Sequence, residues 1–597
     1  LMNNIPFTIS ALHDSYRNGT PLTEIVEQAF SRIELVDDPG IFIHMLNIEE
    51  VIAAARELGE FDDSKPLWGI PYVVKDNIDV EGMPTTAACP DFTYIAKDDA
   101  FVVKCLKEAG ELLLGKVNLD QFATGLVGIR SPYTPPKNAI DPSIVPGGSS
   151  SGSAVSVAHG FACFSLGTDT AGSGRVPAAL NNIVGLKPTL GAFSASGVVP
   201  ACRTLDTISG FALTVEDAYK VFEVACKFDE ADSYSRRISA KPLPTIPPKI
   251  IVGVPDPKSI KFFGDKIQEA SFQEGLDDLT KLGAEIIEID FTPFYDVAQM
   301  LYEGAWIAER YTTIEKLMET NPDAIHPVTR EIISAAEKFS SADVFRGMYR
   351  LEHLKRLAEP ILAALDYLCV PTIPTFYKVE DLEKDPVTPN SNFGTYTNFV
   401  NLLDMCAVSF PIGPRSDGRP GSLTLLAPAG KDAEIAVIGQ ELQSRLQRKM
   451  GATDWPTPPF LQQKAGSVRA NEIEIAVCGA HMSGLPLNKE LTLRCGRFIR
   501  KASTANEYQF YALAGGPPDR PGLVRTEPGK GYEIELEVWA LPKEELGFFM
   551  ENIPYPLAIG TVQLNDGTNL KGFVCEAAGV HGAKNISDLK TWRRYVA

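Results

Sequence analysis

The chain has 597 residues, of which 44% are hydrophobic and 22% charged, and its formal net charge is −20. Because domains usually contain ~100–200 residues, this length predicts several folded units, and the composition excludes a disordered or fibrous chain. The acidic balance disfavours nucleic acid as a partner.

The cysteines and the apolar runs bear on the cellular location. Ten cysteines are scattered without a C-x-x-C pair, which is typical of reduced side chains rather than of disulfides or a zinc site. The N-terminal residues lack the basic-then-apolar pattern of a secretory signal. No apolar run reaches the roughly 20 residues that a membrane span needs. We therefore expect a cytoplasmic protein with no membrane partner and no metal.

Helices and strands alternate along the N-terminal half. After Thr20-Pro21, apolar residues repeat at helical spacing from Leu22 to Ile33, and an apolar run from Trp68 predicts a strand that ends at Lys75. Further elements are predicted as helices at 47–58, 102–109 and 267–282 and as strands at 112–117, 250–254 and 285–290. This alternation predicts an α/β fold with helices on both faces of a sheet.

A proline-rich segment marks the boundary between domains. It follows a helix candidate at 432–449, and β-rich runs follow it at 473–477, 508–512 and 532–539. We divide the chain into a first domain at 1–451, a linker at 452–467 and a second domain at 468–597. A shorter proline-rich stretch at 241–249 is expected to be a loop inside the first domain.

Two segments rich in glycine and serine carry the strongest signal, Pro146–Ser153 and Leu166–Arg175. A flexible linker is one interpretation of the first, but apolar residues that must be buried follow it directly. A P-loop needs a lysine after the glycines, and none is present. Gly148–Gly152 matches the G-x-S-x-G elbow of α/β-hydrolases, but a proline stands where that elbow needs a strand. We favour close approach of the backbone to a ligand.

The second segment can supply a nucleophile and an oxyanion hole for cleaving an amide. Asp169 would orient this loop, and Arg175 could pair with Asp169. The nucleophile would be the hydroxyl of Ser173. The oxyanion donors would be backbone N–H groups, those of Thr170, Ala171, Gly172 and Ser173.

The base that would activate this serine is less evident. His159 is the one nearby histidine, and its position in an apolar helix pattern is typical of a structural side chain. Lys75 ends an apolar strand that would deliver it into the interior, where burial lowers the pKa of a lysine enough for it to act as a base. The alternative is an ammonium group that reaches solvent or pairs with Asp76 or Asp79.

Four motifs occur in the order of one enzyme family. Trp68–Asn77, Gly115–Gly125, Pro146–Ser153 and Gly167–Thr189 resemble the amidase signature family over roughly the first 450 residues. The resemblance implies a large mixed sheet flanked by helices, and a Ser–cis-Ser–Lys triad that needs no cofactor. It assigns the base to Lys75, the bridging serine to Ser149 and the nucleophile to Ser173, and it leaves Ser150 a backbone contact at most.

Two sequence features that differ from the wider family narrow the range of possible substrates. The sequence 171–175 reads AGSGR where the family commonly reads GGSIR, and Tyr302 and Arg310 are eight residues apart, which on a helix lets them share one side. Both features are similar to the allophanate hydrolases, in which the matching Tyr and Arg bind a small substrate with a carboxylate at one end. Gly125 would let the backbone approach that substrate. Without the resemblance, Arg310 could equally be a surface residue paired with an acidic neighbour.

The C-terminal domain supports the same interpretation. Residues 476–488 and the strands that follow resemble the C-terminal domain of allophanate hydrolases, a smaller α+β, β-barrel-like domain similar in outline to γ-glutamylcyclotransferase-like folds. In that group the amidase domain releases ammonia and leaves N-carboxycarbamate, and the second domain promotes loss of carbon dioxide. His481 is the candidate for this step, and a structural loop histidine is the alternative.

The resemblance also implies partners and leaves rivals open. We expect a homodimer and a functional or covalent link to urea carboxylase in urea degradation. The first rival is another amidohydrolase of the family: a glutamine amidotransferase subunit, a lipid amide hydrolase or an amidase of another small amide. The second rival holds that the C-terminal domain only binds or dimerises.

Overall fold

The computed structural model describes residues 4–446, 448–459 and 468–597. Its α-helices are α1 Ile9–Arg17, α2 Leu22–Val36, α3 Ile48–Glu57, α4 Phe101–Glu108, α5 Ser151–Ala158, α6 Val176–Leu180, α7 Val215–Ala225, α8 Lys266–Leu282, α9 Thr292–Met300, α10 Ala305–Thr320, α11 Pro327–Ser334, α12 Ser341–Ala363, α13 Val379–Lys384, α14 Thr388–Phe393, α15 Asn398–Leu402, α16 Asp432–Arg445, α17 Asn488–Thr492, α18 Leu546–Glu551 and α19 Trp592–Val596.

Its strands are β1 Phe42–Met45, β2 Pro71–Lys75, β3 Pro84–Thr85, β4 Tyr94–Ile95, β5 Leu112–Val117, β6 Phe164–Asp169, β7 Val184–Lys187, β8 Thr207–Ala212, β9 Ile250–Pro255, β10 Ala284–Ile289, β11 Tyr367–Pro371, β12 Met405–Ile412, β13 Gly421–Pro428, β14 Glu472–Val477, β15 Arg497–Ser503, β16 Tyr508–Leu513, β17 Arg520–Arg525, β18 Glu535–Pro542, β19 Leu557–Gln563, β20 Asn569–Cys575 and β21 Lys584–Asn585.

A large mixed sheet forms the framework of the N-terminal part. Within the described residues it has 11 strands in the order β1-β5-β2-β6-β8-β7-β12-β13-β11-β9-β10. Strand β2 runs parallel to both β5 and β6, whereas β8, β7, β12 and β13 pair antiparallel. All five residues of β2 are buried, as an apolar central strand with covered faces requires. The predicted large mixed sheet flanked by helices is confirmed.

The strands and helices that carry the site end close to one another. The carboxyl ends of β2 and β6 meet at one edge of the sheet because the two strands are parallel neighbours. Helix α5 begins at Ser151, directly after the Gly/Ser-rich turn, and all eight of its residues are buried. A Cβ atom at Gly152 would lie 2.7 Å from the backbone nitrogen of Asn118, so small residues let this helix pack close to its neighbours.

Most predicted elements agree with the structure to within a few residues, with three small departures. Helix α2 begins at Leu22 without a side-chain cap, since its N-cap is Pro21, which has no side-chain acceptor, and the Thr20 hydroxyl accepts a hydrogen bond from Ser15. Helix α16 ends at Arg445, short of the predicted 449. The run at 532–539 gives a strand that begins only at Glu535.

The contacts divide the chain into two compact units. The larger unit contains the described residues up to Pro242, then Val252–Lys281, then those from Ile286 to Pro459. The smaller unit contains Leu243–Ile251, Leu282–Glu285 and the described residues from Val468 onwards. The stretch at 241–249, expected as a loop inside the first domain, thus gives most of its residues to the smaller unit. Part of the predicted linker, 460–467, lies outside the described residues.

The C-terminal residues form a smaller domain built on sheets. A five-stranded sheet in the order β15-β18-β14-β20-β19 and a three-stranded sheet in the order β17-β16-β21 are found among the described residues. Their core is apolar and includes Trp539, Trp592 and Phe510, all buried. Across the part of the chain that the structure describes, none of the helices combines the length and the apolar character needed to traverse a bilayer.

Candidate active site

Lys75 lies at the end of β2 and is fully buried. Its Nζ atom donates hydrogen bonds to three hydroxyl oxygens, Ser149 Oγ at 2.7 Å, Ser150 Oγ at 3.1 Å and Thr168 Oγ1 at 2.6 Å. The alternative, a pairing of Lys75 with Asp76 or Asp79, is not observed. Asp76 forms an ion pair with Lys116 at 3.1 Å, and Asp79 accepts from the Thr85 hydroxyl at 2.7 Å. Lys75 is therefore a buried amine surrounded by hydroxyl groups.

Burial sets the protonation of this amine. Desolvation lowers the pKa of Lys75 from 10.5 to about 7, and the negative charges of Asp120, Asp169 and Asp206 oppose that change. A pKa near neutrality leaves a large fraction of the amine unprotonated at physiological pH. Lys75 can therefore accept a proton from a neighbouring hydroxyl.

Ser149 occupies the turn between the glycine pair and α5. The Gly148–Ser149 peptide bond is cis, and the carbonyl oxygen of Ser149 accepts a hydrogen bond from the backbone N–H of Asp120 at 3.0 Å. A Cβ atom at Gly148 would lie 2.1 Å from Asp120 Oδ2, so only glycine fits before Ser149. The turn brings the Ser149 hydroxyl to Lys75, as the sequence predicts.

Ser150 and Thr168 complete the surroundings of Lys75, and the sequence did not identify them. The expectation that Ser150 makes only backbone contacts is wrong: its Oγ accepts from Lys75 and donates to the Thr168 carbonyl at 3.1 Å. Thr168 lies on β6, the neighbour of β2 in the sheet. Strand order is the missing information, because β6 follows β2 by almost ninety residues in the chain.

Ser173 lies on the loop after β6, 3% exposed, and Asp169 organises this loop. The carboxylate of Asp169 accepts from the backbone N–H groups of Gly172 and Gly174, each at 3.0 Å. It also forms two hydrogen bonds of 2.9 Å with Arg175, a fully buried bidentate ion pair. Both roles foreseen for these residues, loop orientation and ion pairing, are present.

The predicted oxyanion donors differ in their availability. The N–H of Gly172 already donates to Asp169 Oδ1. No acceptor among the described residues takes the backbone N–H of Thr170, Ala171 or Ser173. These three are the groups free to bind an oxyanion beside the Ser173 hydroxyl. The structure places no hydrogen bond between the hydroxyls of Ser173 and Ser149.

Arg310 is a buried cation without a carboxylate partner. It lies on α10 with 2% exposure, and no ion pair joins it to any acidic side chain of the described residues. Its Nη1 donates to Thr124 Oγ1 at 3.2 Å, whereas its Nε is buried and has no hydrogen-bond partner. The alternative of a surface arginine paired with Glu309 is not observed, since Glu309 accepts from Thr204.

Tyr302 contacts Arg310 by a different geometry than the spacing predicted. The two residues do not share a helix, because α9 ends at Met300 and α10 begins at Ala305 after Gly304, whose φ of +94° breaks the helix. The guanidinium of Arg310 nevertheless lies 5.6 Å from the centre of the Tyr302 ring. The prediction of a common helix is wrong, and the two side chains are adjacent.

Gly125 follows Thr124 in the same region. A Cβ atom there would lie 2.6 Å from Asp120 Oδ2, so the close neighbour that requires glycine is this carboxylate. Asp206 links the region to the lysine: its carboxylate accepts from the Thr170 hydroxyl and acts electrostatically on both Arg310 and Lys75. The carboxylate of Asp206 therefore favours the charged form of both Arg310 and Lys75.

His481 lies in the smaller unit, on the loop after β14, and is 8% exposed. Its Nε2 is 2.8 Å from Glu490 Oε2, and its ring stacks on Phe573 and meets Phe549 edge-on. The hydrogen bond to His481 lowers the pKa of the Glu490 carboxyl. The described residues contain no group of three His, Cys, Asp or Glu side chains arranged to hold a metal ion.

Comparison with known proteins gives the following matches. The amidase family model matches residues 24–436, and the model of the allophanate hydrolase C-terminal domain matches residues 473–597. Urea amidolyase of Saccharomyces cerevisiae is 42% identical over 541 residues, which are 89% of this chain and 29% of that protein. A glutamyl-tRNA(Gln) amidotransferase subunit of Exiguobacterium sibiricum is 33% identical over 472 residues, which are 72% of this chain and 95% of that protein.

Among solved structures, Kluyveromyces lactis allophanate hydrolase superposes with a TM-score of 0.78 at 38% identity. The match covers 100% of this chain and 99% of that one. The chain spans about 30% of the length of the curated urea amidolyases that it matches.

Proposed function

Because the chain belongs to the amidase family and carries an allophanate hydrolase C-terminal domain, we propose that it hydrolyses allophanate to ammonia and carbon dioxide in urea degradation. The main support for allophanate as the substrate is the buried guanidinium of Arg310, which forms no ion pair within the described residues. Although burial opposes it, negative groups nearby, Asp206 and Glu309 among them, raise the pKa of Arg310 and keep it charged, so a fixed positive charge with a hydrogen-bond donor to spare faces any ligand here. The carboxylate of allophanate pairs with that charge, with the free Nε of Arg310 as a donor and Tyr302 adjacent.

The first half-reaction uses the lysine and the two serines. Neutral Lys75 accepts the proton of Ser149, and Ser149 accepts the proton of Ser173 as the Ser173 oxygen attacks the terminal amide carbon. The N–H groups of Thr170, Ala171 and Ser173 stabilise the oxyanion. The proton returns through Ser149 to the leaving ammonia. Water then cleaves the acyl-enzyme by the same relay and releases N-carboxycarbamate.

The second half-reaction is the loss of carbon dioxide from this product, which leaves carbamate; carbamate then breaks down to the second ammonia and the second carbon dioxide. We assign its promotion to the C-terminal domain with His481 as the donor of a hydrogen bond or a proton. The short contact between His481 and Glu490 supports this assignment, since a carboxylate partner orients an imidazole. The alternative, a domain that only binds or dimerises, predicts that loss of His481 leaves both products unchanged.

We also propose a partner for this reaction. The length of the urea amidolyases supports a functional or covalent link to a urea carboxylase, which would deliver allophanate. A homodimer, a cytoplasmic location and the division at 452–467 stay predictions from the sequence.

The test is ammonia release with four amides in parallel: allophanate, malonamate, glutamine and a fatty acid amide. We expect a strong preference for allophanate and malonamate, lost in Arg310→Ala, and no turnover of any amide in Ser173→Ala. A preference for glutamine or a fatty acid amide that survives Arg310→Ala would contradict allophanate as the substrate. It would not contradict the catalytic triad.

A further inference from the structure

Thr124 contacts Arg310 and has no role in the proposed chemistry. It is 1% exposed and ends a short 3-10 helix, Gln121–Ala123. Its hydroxyl donates to the carbonyl oxygen of Phe122 at 3.2 Å. The proton of the hydroxyl is thereby committed, and the oxygen is left as an acceptor for Arg310 Nη1 at 3.2 Å.

The backbone that presents this hydroxyl has an unusual conformation. Phe122 and Ala123 both have positive φ angles, of 52° and 53°, although neither is glycine. Consecutive left-handed residues with a Cβ atom are unfavourable and persist only where their surroundings hold them. Here Phe122 donates its N–H to Ala87 at 3.0 Å, and its ring meets that of Phe92 edge-on at 5.1 Å. The packing therefore fixes the turn that directs Thr124.

A second cation lies on the other side of Thr124. Arg130 is 3% exposed and donates from Nη1 to the Thr124 carbonyl at 3.2 Å and from Nη2 to the Pro386 carbonyl at 2.8 Å. Thr124 thus holds one guanidinium through its hydroxyl and another through its carbonyl. With Nη1 bound to Thr124, the orientation of the Arg310 group is fixed and its buried Nε stays unpartnered.

We propose that Thr124 is a positioning residue that orients the guanidinium of Arg310 and thereby makes the site selective for small amides that carry a carboxylate. This inference rests on the proposed function. Thr124 affects the binding of the substrate's carboxylate and takes no part in the proton transfer from Ser173 through Ser149 to Lys75. Its removal should therefore raise KM for anionic amides without lowering kcat to the same extent.

The experiment compares malonamate with malonamide, which differ in that a neutral amide replaces the carboxylate. We expect Thr124→Val to raise KM for malonamate about tenfold or more, as loss of a hydrogen bond to a charged group does, with kcat changed less than about threefold. The kcat/KM for malonamide should stay as in the wild type. Thr124→Ser keeps the hydroxyl and should retain wild-type selectivity.

The control is Thr280→Val. The Thr280 hydroxyl also donates to a backbone carbonyl, that of Leu276 at 2.9 Å, but contacts no arginine, and this variant should behave as the wild type. If Thr124→Val does not fold, Thr124→Ala gives the same comparison. Equal losses for malonamate and malonamide, or no loss for either, would overturn the role of Thr124. A wild type that does not prefer malonamate would instead overturn the proposed carboxylate site itself.

Discussion

The pH dependence of the reaction follows from the surroundings of Lys75. With a pKa of about 7, roughly one tenth of the amine is neutral at pH 6 and about nine tenths at pH 8. Because neutral Lys75 is the base, kcat/KM for malonamate should rise about tenfold between these values.

Removing the hydroxyl of Thr168 tests this reasoning. Thr168 Oγ1 accepts the shortest of the three hydrogen bonds from Lys75, and such a bond favours the ammonium form. A hydrogen bond to a charged group is worth about 1.5–3 kcal/mol, or roughly one to two pKa units. In Thr168→Val the pKa of Lys75 should fall, and the acid limb of the profile should move from about pH 7 to roughly pH 5–6.

The assay is kcat/KM for malonamate, measured by ammonia release from pH 5 to 9. Ser153→Ala is the matched control, since the buried Ser153 hydroxyl bonds to the Leu166 carbonyl on β6 and does not contact Lys75. Its midpoint should equal that of the wild type. A midpoint in Thr168→Val that is unchanged or higher would refute Lys75 as the titrating base.

Three further predictions concern other residues. Arg310→Gln should raise KM for malonamate by about a hundredfold, since the charge-assisted hydrogen bond to the substrate carboxylate is lost, and should leave malonamide turnover intact; equal loss for both substrates would contradict the role of Arg310. Asp169→Asn should lower the free energy of unfolding of the N-terminal unit by about 3–5 kcal/mol in urea, because Arg175 is left buried and unpaired; a change below about 1 kcal/mol would contradict this. His481→Ala should release the first ammonia from allophanate at the wild-type rate, and the carbon dioxide and the second ammonia more slowly, in a simultaneous assay of ammonia and carbon dioxide; an unchanged ratio would favour the purely binding domain.

The sequence was sufficient for features that depend on local patterns. The alternation of elements predicted the α/β sheet, and the apolar strand that ends at Lys75 predicted a buried lysine. The cap of α3 by Asn47 and Glu50 and the limits of β5 also follow from short-range rules. These features could be predicted because each depends on a few consecutive residues.

Features that depend on strand order or loop geometry could not be predicted from the sequence. Thr168 contacts Lys75 only because β6 lies beside β2, and Thr124 reaches Arg310 across 186 residues. Gly172 was expected as an oxyanion donor, but Asp169 takes its N–H, a detail of loop geometry that spacing alone does not fix. The common helix for Tyr302 and Arg310 was wrong because Gly304 ends the pattern.

The central claim is that Ser173 attacks the amide carbon. Its most direct test is to quench the enzyme during turnover of malonamate and to locate the covalent acyl group by mass spectrometry. Trypsin cleavage after Lys137 and Arg175 leaves Ser149 and Ser173 in one peptide, and fragmentation of that peptide separates them. We predict an acyl group on Ser173 that is absent from the folded but inactive Ser173→Ala variant. Acylation of Ser149, or turnover by Ser173→Ala, would contradict the account.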